Sequence, residues 1–212
     1  MARTWRGRSN LLKMSGKAPI PCLVLHNRHT GEILHLRRVR ETSGQTILTI
    51  DGSLPPGADG PPLHIHFEIC EEGVVQSGTL GAIVGTRTVE IPAGGSAVFA
   101  AGVPHRWWNA GNDLLEFSGH AIPAGDLDRY LQAVFAVLNA GASGRPSLFY
   151  LSHVAWRHRR TQQLAVPHRW IQKVIFPLVL LVGHILGKYR GTDWPGSPQT
   201  CAGAPVLNAS ST

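Results

Sequence analysis

The sequence predicts a mainly β domain followed by a C-terminal helical extension, and three observations carry that prediction. Across residues 21–123, runs of β-branched or alternating apolar residues recur about every ten residues, with glycine or proline at every join. From Ala124 onward the apolar spacing becomes helical. The composition agrees: 24 glycines and 15 prolines among 212 residues suit many short elements joined by turns, and 43% hydrophobic residues suffice for a buried core.

Residues 1–18 form a basic arm in which Leu11 and Leu12 are too short an apolar run for a secretory signal. This segment is expected to be flexible and the protein cytoplasmic. The first strands are CLVLHN at 22–27, EILHLRRVR at 32–40 and QTILTIDG at 45–52. In the second, alternation groups Leu34 with Leu36 and Ile33 with His35, giving one apolar and one mixed face. The proline-rich run 54–62 is a loop that delivers the chain to His64. Further strands follow as TLGAIVG, RTVEIPAG, SAVFAAG, HRWWNAG and LLEFSGHAIP, spaced as in an antiparallel sandwich or barrel.

In the extension, Asp126 opens a helix whose Leu127, Tyr130, Leu131, Val134, Phe135 and Leu138 share one face, and Gly141 ends it. Residues 147–164 read as a second helix and 170–186 as a third. The Gly-, Pro-, Ser- and Thr-rich tail from 191 is expected to be disordered. The run 174–186 is strongly apolar, but it falls short of the about twenty residues needed to span a bilayer and contains Pro177 and His184. Burial against the β domain or a partner subunit is expected, with an interfacial anchor flanked by Arg169, Lys173, Lys188 and Arg190 as the second reading.

Charge is divided into blocks. Residues 1–40 carry a net +8, residues 41–144 a net −8 and residues 145–190 a net +8. No nucleic-acid recognition motif accompanies the basic ends, so nucleic acid is not favoured as a partner. Cys22, Cys70 and Cys201 are scattered and form no CxxC pair, which indicates neither a disulfide framework nor a zinc ribbon.

The chemistry concentrates in two stretches. In residues 60–78, GPPLHIHFEICEEGVVQSG, His64 and His66 point to the same side of a strand, and Glu71 follows on the next. Residues 94–109, GGSAVFAAGVPHRWWN, bring His105. Three imidazoles and one carboxylate suit a divalent transition metal. Parity sends Gly73 and Val75 inward beside Glu71, with Gly73 leaving space at the site, and places Trp107 with His105 as a pocket wall. Glu68 is read as a solvated carboxylate, with the same parity offering it as a spare inward ligand or base. Glu71 and Glu68 are therefore the candidates for proton transfer. Glu72 is read as solvated, and His120 as lining the pocket or capping a turn. His26, His29, His35, His153, His158, His168 and His184 are read as structural or exposed.

These stretches resemble the two motifs of the cupin superfamily. His64, His66, Glu71 and Gly78 stand at the spacing of the first, although its opening glycine is displaced: Ala58 lies between Gly57 and Gly60. Gly94, Gly102, His105 and Asn109 match the second, with Ala100 where the family has proline. The resemblance covers about residues 45–120 and implies a double-stranded β-helix of jelly-roll type for the domain at 19–123, which the helical extension at 124–190 and the tail at 191–212 follow. It implies one divalent metal ion held by His64, His66, Glu71 and His105, iron first, with manganese, nickel, copper or zinc as alternatives. It also implies a dioxygenase-like oxidoreductase acting on a small organic molecule, and a homodimer as one possible assembly. Ile65, Val75 and Trp107 point to a fairly apolar substrate. The alternatives are a metal-dependent isomerase, lyase or decarboxylase, and a non-catalytic binding module. Phosphosugars are disfavoured, since Arg87 and Arg106 are the only basic residues near the motifs.

Overall fold

A computed structural model describes residues 22–142, 145–191 and 194–197. The β domain contributes β1 (Leu23–His26), β2 (Ile33–Arg40), β3 (Thr46–Leu54), β4 (His64–His66) and β5 (Cys70–Ser77). It continues with β6 (Thr79–Val84), β7 (Arg87–Pro92), β8 (Ser96–Phe99), β9 (His105–Asn109) and β10 (Leu115–Ile122). The extension supplies α1 (Leu127–Ala140), α2 (Leu148–Arg157), β11 (Gln162–Leu164) and α3 (Arg169–Ile185).

The strands pair into two antiparallel sheets. One has the order β1-β2-β3-β10-β5-β8 and the other β11-β4-β9-β6-β7. Apolar side chains from both meet in one core: Leu54, Val75, Phe99 and Leu115 from the first sheet, Leu80 and Ala82 from the second. This is a jelly-roll-like pair of sheets. Among the described residues they form two open sheets, and no pairing closes them into a single barrel.

Loop residues explain the altered family motif. A Cβ on Gly60 would lie 2.6 Å from the backbone oxygen of Trp107, and the Gly60 N–H donates to that same oxygen. Gly60, rather than position 58, is where the loop approaches β9 closely enough to exclude a side chain. Asn109, the last residue of the second motif, is buried and ties loops together. Its amide donates to the carbonyl oxygens of Leu54 and Asp113 at 2.9 and 2.8 Å and accepts from the Gly111 N–H at 2.9 Å.

The helix α1 lies on the inward side of β1, β2, β3 and β10, where Leu127 and Phe135 join Leu25, Leu34, Leu36 and Leu48 in a second core. Arg38 on β2 and Asp128 on α1 form an ion pair at 2.5 Å that fixes the contact from outside. The helix α2 packs on α1 through Val154 against Ala133 and Val137.

Three expectations change. The second helix stops at Arg157 and does not run to 164. His158–Arg160 turn, and the chain re-enters as β11, pairing Gln162 with His66 and Leu164 with His64. The open edge of β4 satisfies backbone groups that a longer helix would have satisfied internally. The helix α3 is not buried against the β domain: only Gln172 and Gly183 of it are buried. Finally, part of the tail expected to be disordered is ordered, since Trp194 stacks on Tyr150 at 5.7 Å and Gly196 abuts Val137 and Val154. The basic arm 1–18, Cys201 and the rest of the tail lie outside the described residues. Among the described residues, no helix is long and apolar enough to cross a membrane.

Candidate metal centre

Strand pairing assembles the four predicted ligands. Period-two alternation turns His64 and His66 of β4 to one side, and β9 pairs with β4 so that His105 stands opposite His64. Glu71 comes from β5, in the other sheet. The cluster therefore bridges the two sheets. One ligand atom from each of these four side chains lies within 4.8 Å of every other.

The individual contacts define the donors. The Nε2 atoms of His64 and His66 are 3.1 Å apart, His66 Nε2 is 3.5 Å from Glu71 Oε1, and His105 Nε2 is 3.3 Å from Glu71 Oε2. His64 Nδ1 lies 2.8 Å from the Pro62 carbonyl oxygen, and His105 Nδ1 lies 2.9 Å from that of Val103. A carbonyl oxygen only accepts, so both Nδ1 atoms carry the proton and both Nε2 atoms keep a lone pair aimed into the cluster. His105 is further held by Phe99, stacked on it at 4.7 Å.

Burial and mutual charge set the protonation states. His64 and His66 are held well below the usual histidine range, His64 at about 4, first by burial and then by neighbouring imidazoles. Burial pushes the Glu71 carboxyl up, but the neighbouring His105 and the other histidines of the cluster outweigh it and hold it below the ordinary carboxylate range. At neutral pH His64 and His66 are neutral and Glu71 is a carboxylate, the state in which these groups ligate a metal.

Does a metal fit? His64 Nε2 keeps its lone pair, and at 3.1 Å from His66 Nε2 it is satisfied by a proton on His66 or by a cation that both nitrogens share. His105 Nε2 and His66 Nδ1 are buried without a hydrogen-bond partner, and the first of these points into the cluster. Separations of 3.1–3.5 Å also suit adjacent ligands of one ion, which at about 2.1 Å from the metal sit about 3 Å apart. The donor set fits a single divalent transition ion.

The cluster forms part of the wall of a cavity of about 330 Å³. His64, His66 and Glu71 open onto it, while His105 stands behind them. Gly73, Val75 and Trp107 all line it, and Trp107 is braced edge-on against Phe117 at 5.0 Å. His120 also lines it, within 3.7 Å of Glu72. Glu68 does not line it: β4 ends at His66, the chain bends, and Glu68 is exposed while Ile69 takes the buried position.

Two features escaped the sequence analysis. The apolar face of α1, including Leu131, Val134 and Leu138, closes one side of the cavity. Glu32 also lines it. Its side chain is buried and has no partner among the described residues, and burial alone pushes its pKa up to about 7. The signal was present, since Glu32 shares parity with Leu34 and Leu36 on the apolar face of β2.

Comparison with known proteins follows the same line. A family model for the cupin domain matches residues 50–118, the stretch that contains all four ligands. No curated protein matches the chain. Similar solved structures include an oxalate oxidase at 21% identity, covering 45% of this chain and 52% of that one, with a TM-score of 0.39. A predicted oxalate decarboxylase from Thermotoga maritima has 24% identity over 49% of this chain and 93% of that one, TM-score 0.40. A sugar phosphate isomerase of the cupin superfamily from Silicibacter pomeroyi has 24% identity over 42% of this chain and 58% of that one, TM-score 0.35. The chain thus spans about half the length of the oxalate oxidase. The matched domain, the two motifs and the assembled cluster place a single cupin domain in this protein, with a three-histidine, one-glutamate metal-binding cluster of the cupin superfamily.

Proposed function

We propose that the protein is a mononuclear metal-dependent oxidoreductase of the dioxygenase type, acting on a small, fairly apolar organic molecule. The observation that carries this reading is the position of the cluster in the wall of an apolar cavity of about 330 Å³. His64, His66, Glu71 and His105 hold the ion. Four protein ligands leave open positions on a divalent transition metal, and iron there would supply oxygen activation beside a bound substrate. Val75, Trp107 and Phe117 bind and orient the apolar body of the substrate. The helix α1 excludes bulk water from one side.

Glu32 favours a second reading, a metal-dependent isomerase, lyase or decarboxylase. A carboxyl with a pKa of about 7 facing the same cavity is suited to hold or release a proton at neutral pH. Glu32 is a better candidate for that role than Glu68, which is exposed, or Glu71, which is committed to the cluster.

The test combines elemental analysis with oxygen uptake. Purified protein is expected to carry about one equivalent of a divalent transition metal, and H64A/H105A none. Iron-loaded protein that consumes oxygen with small apolar substrates supports the oxidoreductase reading. Turnover without oxygen uptake supports the second. A failure to bind metal even on reconstitution sinks both.

A further inference from the structure

A second cavity, of about 390 Å³, opens in the helical extension, where the turn after α2, the strand β11 and the start of α3 meet. Arg159, Arg160, Arg169 and Lys173 line it, and no carboxylate does. The stretch from 145 to 190 has no acidic residue, and among the described residues no carboxylate pairs with any of these four. Like charges around one space repel each other, and an anion placed among them removes that repulsion. The site lies on the Gln172 side of α3, while the exposed Val174, Leu178 and Leu181 stand on the other and take no part.

Much of this arrangement is held in place by the protein itself. Arg159 lies over the Trp156 ring at 4.2 Å and donates to the Trp156 carbonyl oxygen at 2.7 Å, and Arg169 lies over Phe67 at 5.2 Å. The N–H groups of Thr161 and Gln162 both donate to the His158 carbonyl oxygen at 3.0 Å, which closes the turn that carries Arg159 and Arg160. Ahead of α3, the Gln172 amide nitrogen donates to the carbonyl oxygens of Leu164 and Pro167, at 2.8 and 2.5 Å. Cations already gathered cost a ligand less ordering entropy.

Gln162 is an independent observation that points to a ligand. It lines the cavity and is 3% exposed, yet neither its amide nitrogen nor its amide oxygen has a partner among the described residues. A buried amide left in this state weakens the fold, and an occupant with polar groups of its own would satisfy it. The size and the walls imply that such an occupant carries an organic body. About 390 Å³ falls within the roughly 300–1,000 Å³ of small-molecule sites, and Trp156 and Phe176 add apolar wall beside the cations. Four cations suit a phosphate monoester, nearly doubly charged at neutral pH and matched to guanidinium forks, better than a single carboxylate.

We propose that this cavity binds a small organic phosphate, its anionic head held by Arg159, Arg160, Arg169 and Lys173 and its body against Trp156 and Phe176. The site is separate from the metal centre and does not rest on the reaction proposed there.

The test is isothermal titration calorimetry of the full-length protein, as purified and after metal chelation, at fixed ionic strength. The probes are phenyl phosphate, inorganic phosphate and benzoate. Phenyl phosphate should bind more tightly than the other two, and equally well after chelation. R160Q/K173Q should weaken it roughly a hundredfold, about tenfold for each cation removed. Both residues are exposed, so the circular dichroism of this variant should match the wild type, and that match shows the loss is not unfolding. Q162L, which keeps a similar volume without the amide, should weaken binding about tenfold. Four results would overturn the proposal. One is no binding of phenyl phosphate to the chelated protein. A second is binding that R160Q/K173Q leaves unchanged, which places the probe elsewhere. The third is inorganic phosphate binding as tightly as phenyl phosphate, which makes the cavity a site for the free ion. The fourth is benzoate binding as tightly, which removes the preference for phosphate.

Discussion

Glu32 shares the inward parity of Leu34 and Leu36, so its carboxyl points where an apolar side chain is ordinarily found. Burial raises its pKa from 4.5 to about 7. The folded state therefore holds a proton that the unfolded chain releases above pH 4.5. The stability is fully present below that pH and is lost progressively as pH rises to about 7, by about 3 kcal/mol in all. E32Q should abolish that loss, melting close to the wild type at pH 4 and well above it at pH 8; equal melting temperatures at pH 8 would refute this. Asn109 works in the opposite direction, because three backbone groups, the buried Leu54 carbonyl among them, depend on its amide. N109A should cost about 1–3 kcal/mol in urea unfolding, since the buried Leu54 carbonyl would lose this partner without access to water. The position was legible in the family motif, but its task was not. Hydrogen bonds to the carbonyls of Leu54 and Asp113 depend on which loops the fold brings together.

At the scale of elements, strand alternation in the sequence anticipated the inward faces of β2, β4 and β5 correctly, because a period of two leaves only one way to turn His64 and His66 together. Alternation reaches only as far as its element runs. Glu68, read as solvated with an inward turn only if the parity of β4 continued, lies in solvent because the chain bends after His66. Likewise β11 was read as helix, because no local signal announces that the edge of β4 is free to accept a strand. The helix α1 was recognised with its apolar face, yet that this face would wall the cavity depends on its docking across β1–β3. Phe135 is buried there and also lines the cavity. F135A should destabilise by about 3–5 kcal/mol in urea unfolding and enlarge the cavity; a change under about 1 kcal/mol would mean that α1 is not a structural wall.

For the whole molecule, the metal cluster joins two sheets, so a bound ion acts as a clasp between them. The histidines and Glu71 reach the ligating state only when folding places them together, and an ion that binds the folded state alone stabilises it. Reloading chelated protein with its divalent metal at a hundredfold excess over Kd should raise the melting temperature by roughly 5–10 °C, and H64A/H105A should show no rise. The sequence by itself determined the strand-rich domain, the helical extension, the order of the two motifs and the four side chains that form the cluster. Each of these rests on local periodicity or fixed spacing, which the chain carries without reference to its partners. Only the tertiary structure decided that the sheets form an open pair, that α1 closes the cavity, that Glu32 lies beside the metal cluster's pocket and that α3 keeps its apolar face in solvent. Those outcomes depend on which surfaces meet, and the meeting of distant surfaces is written in no single stretch of the chain.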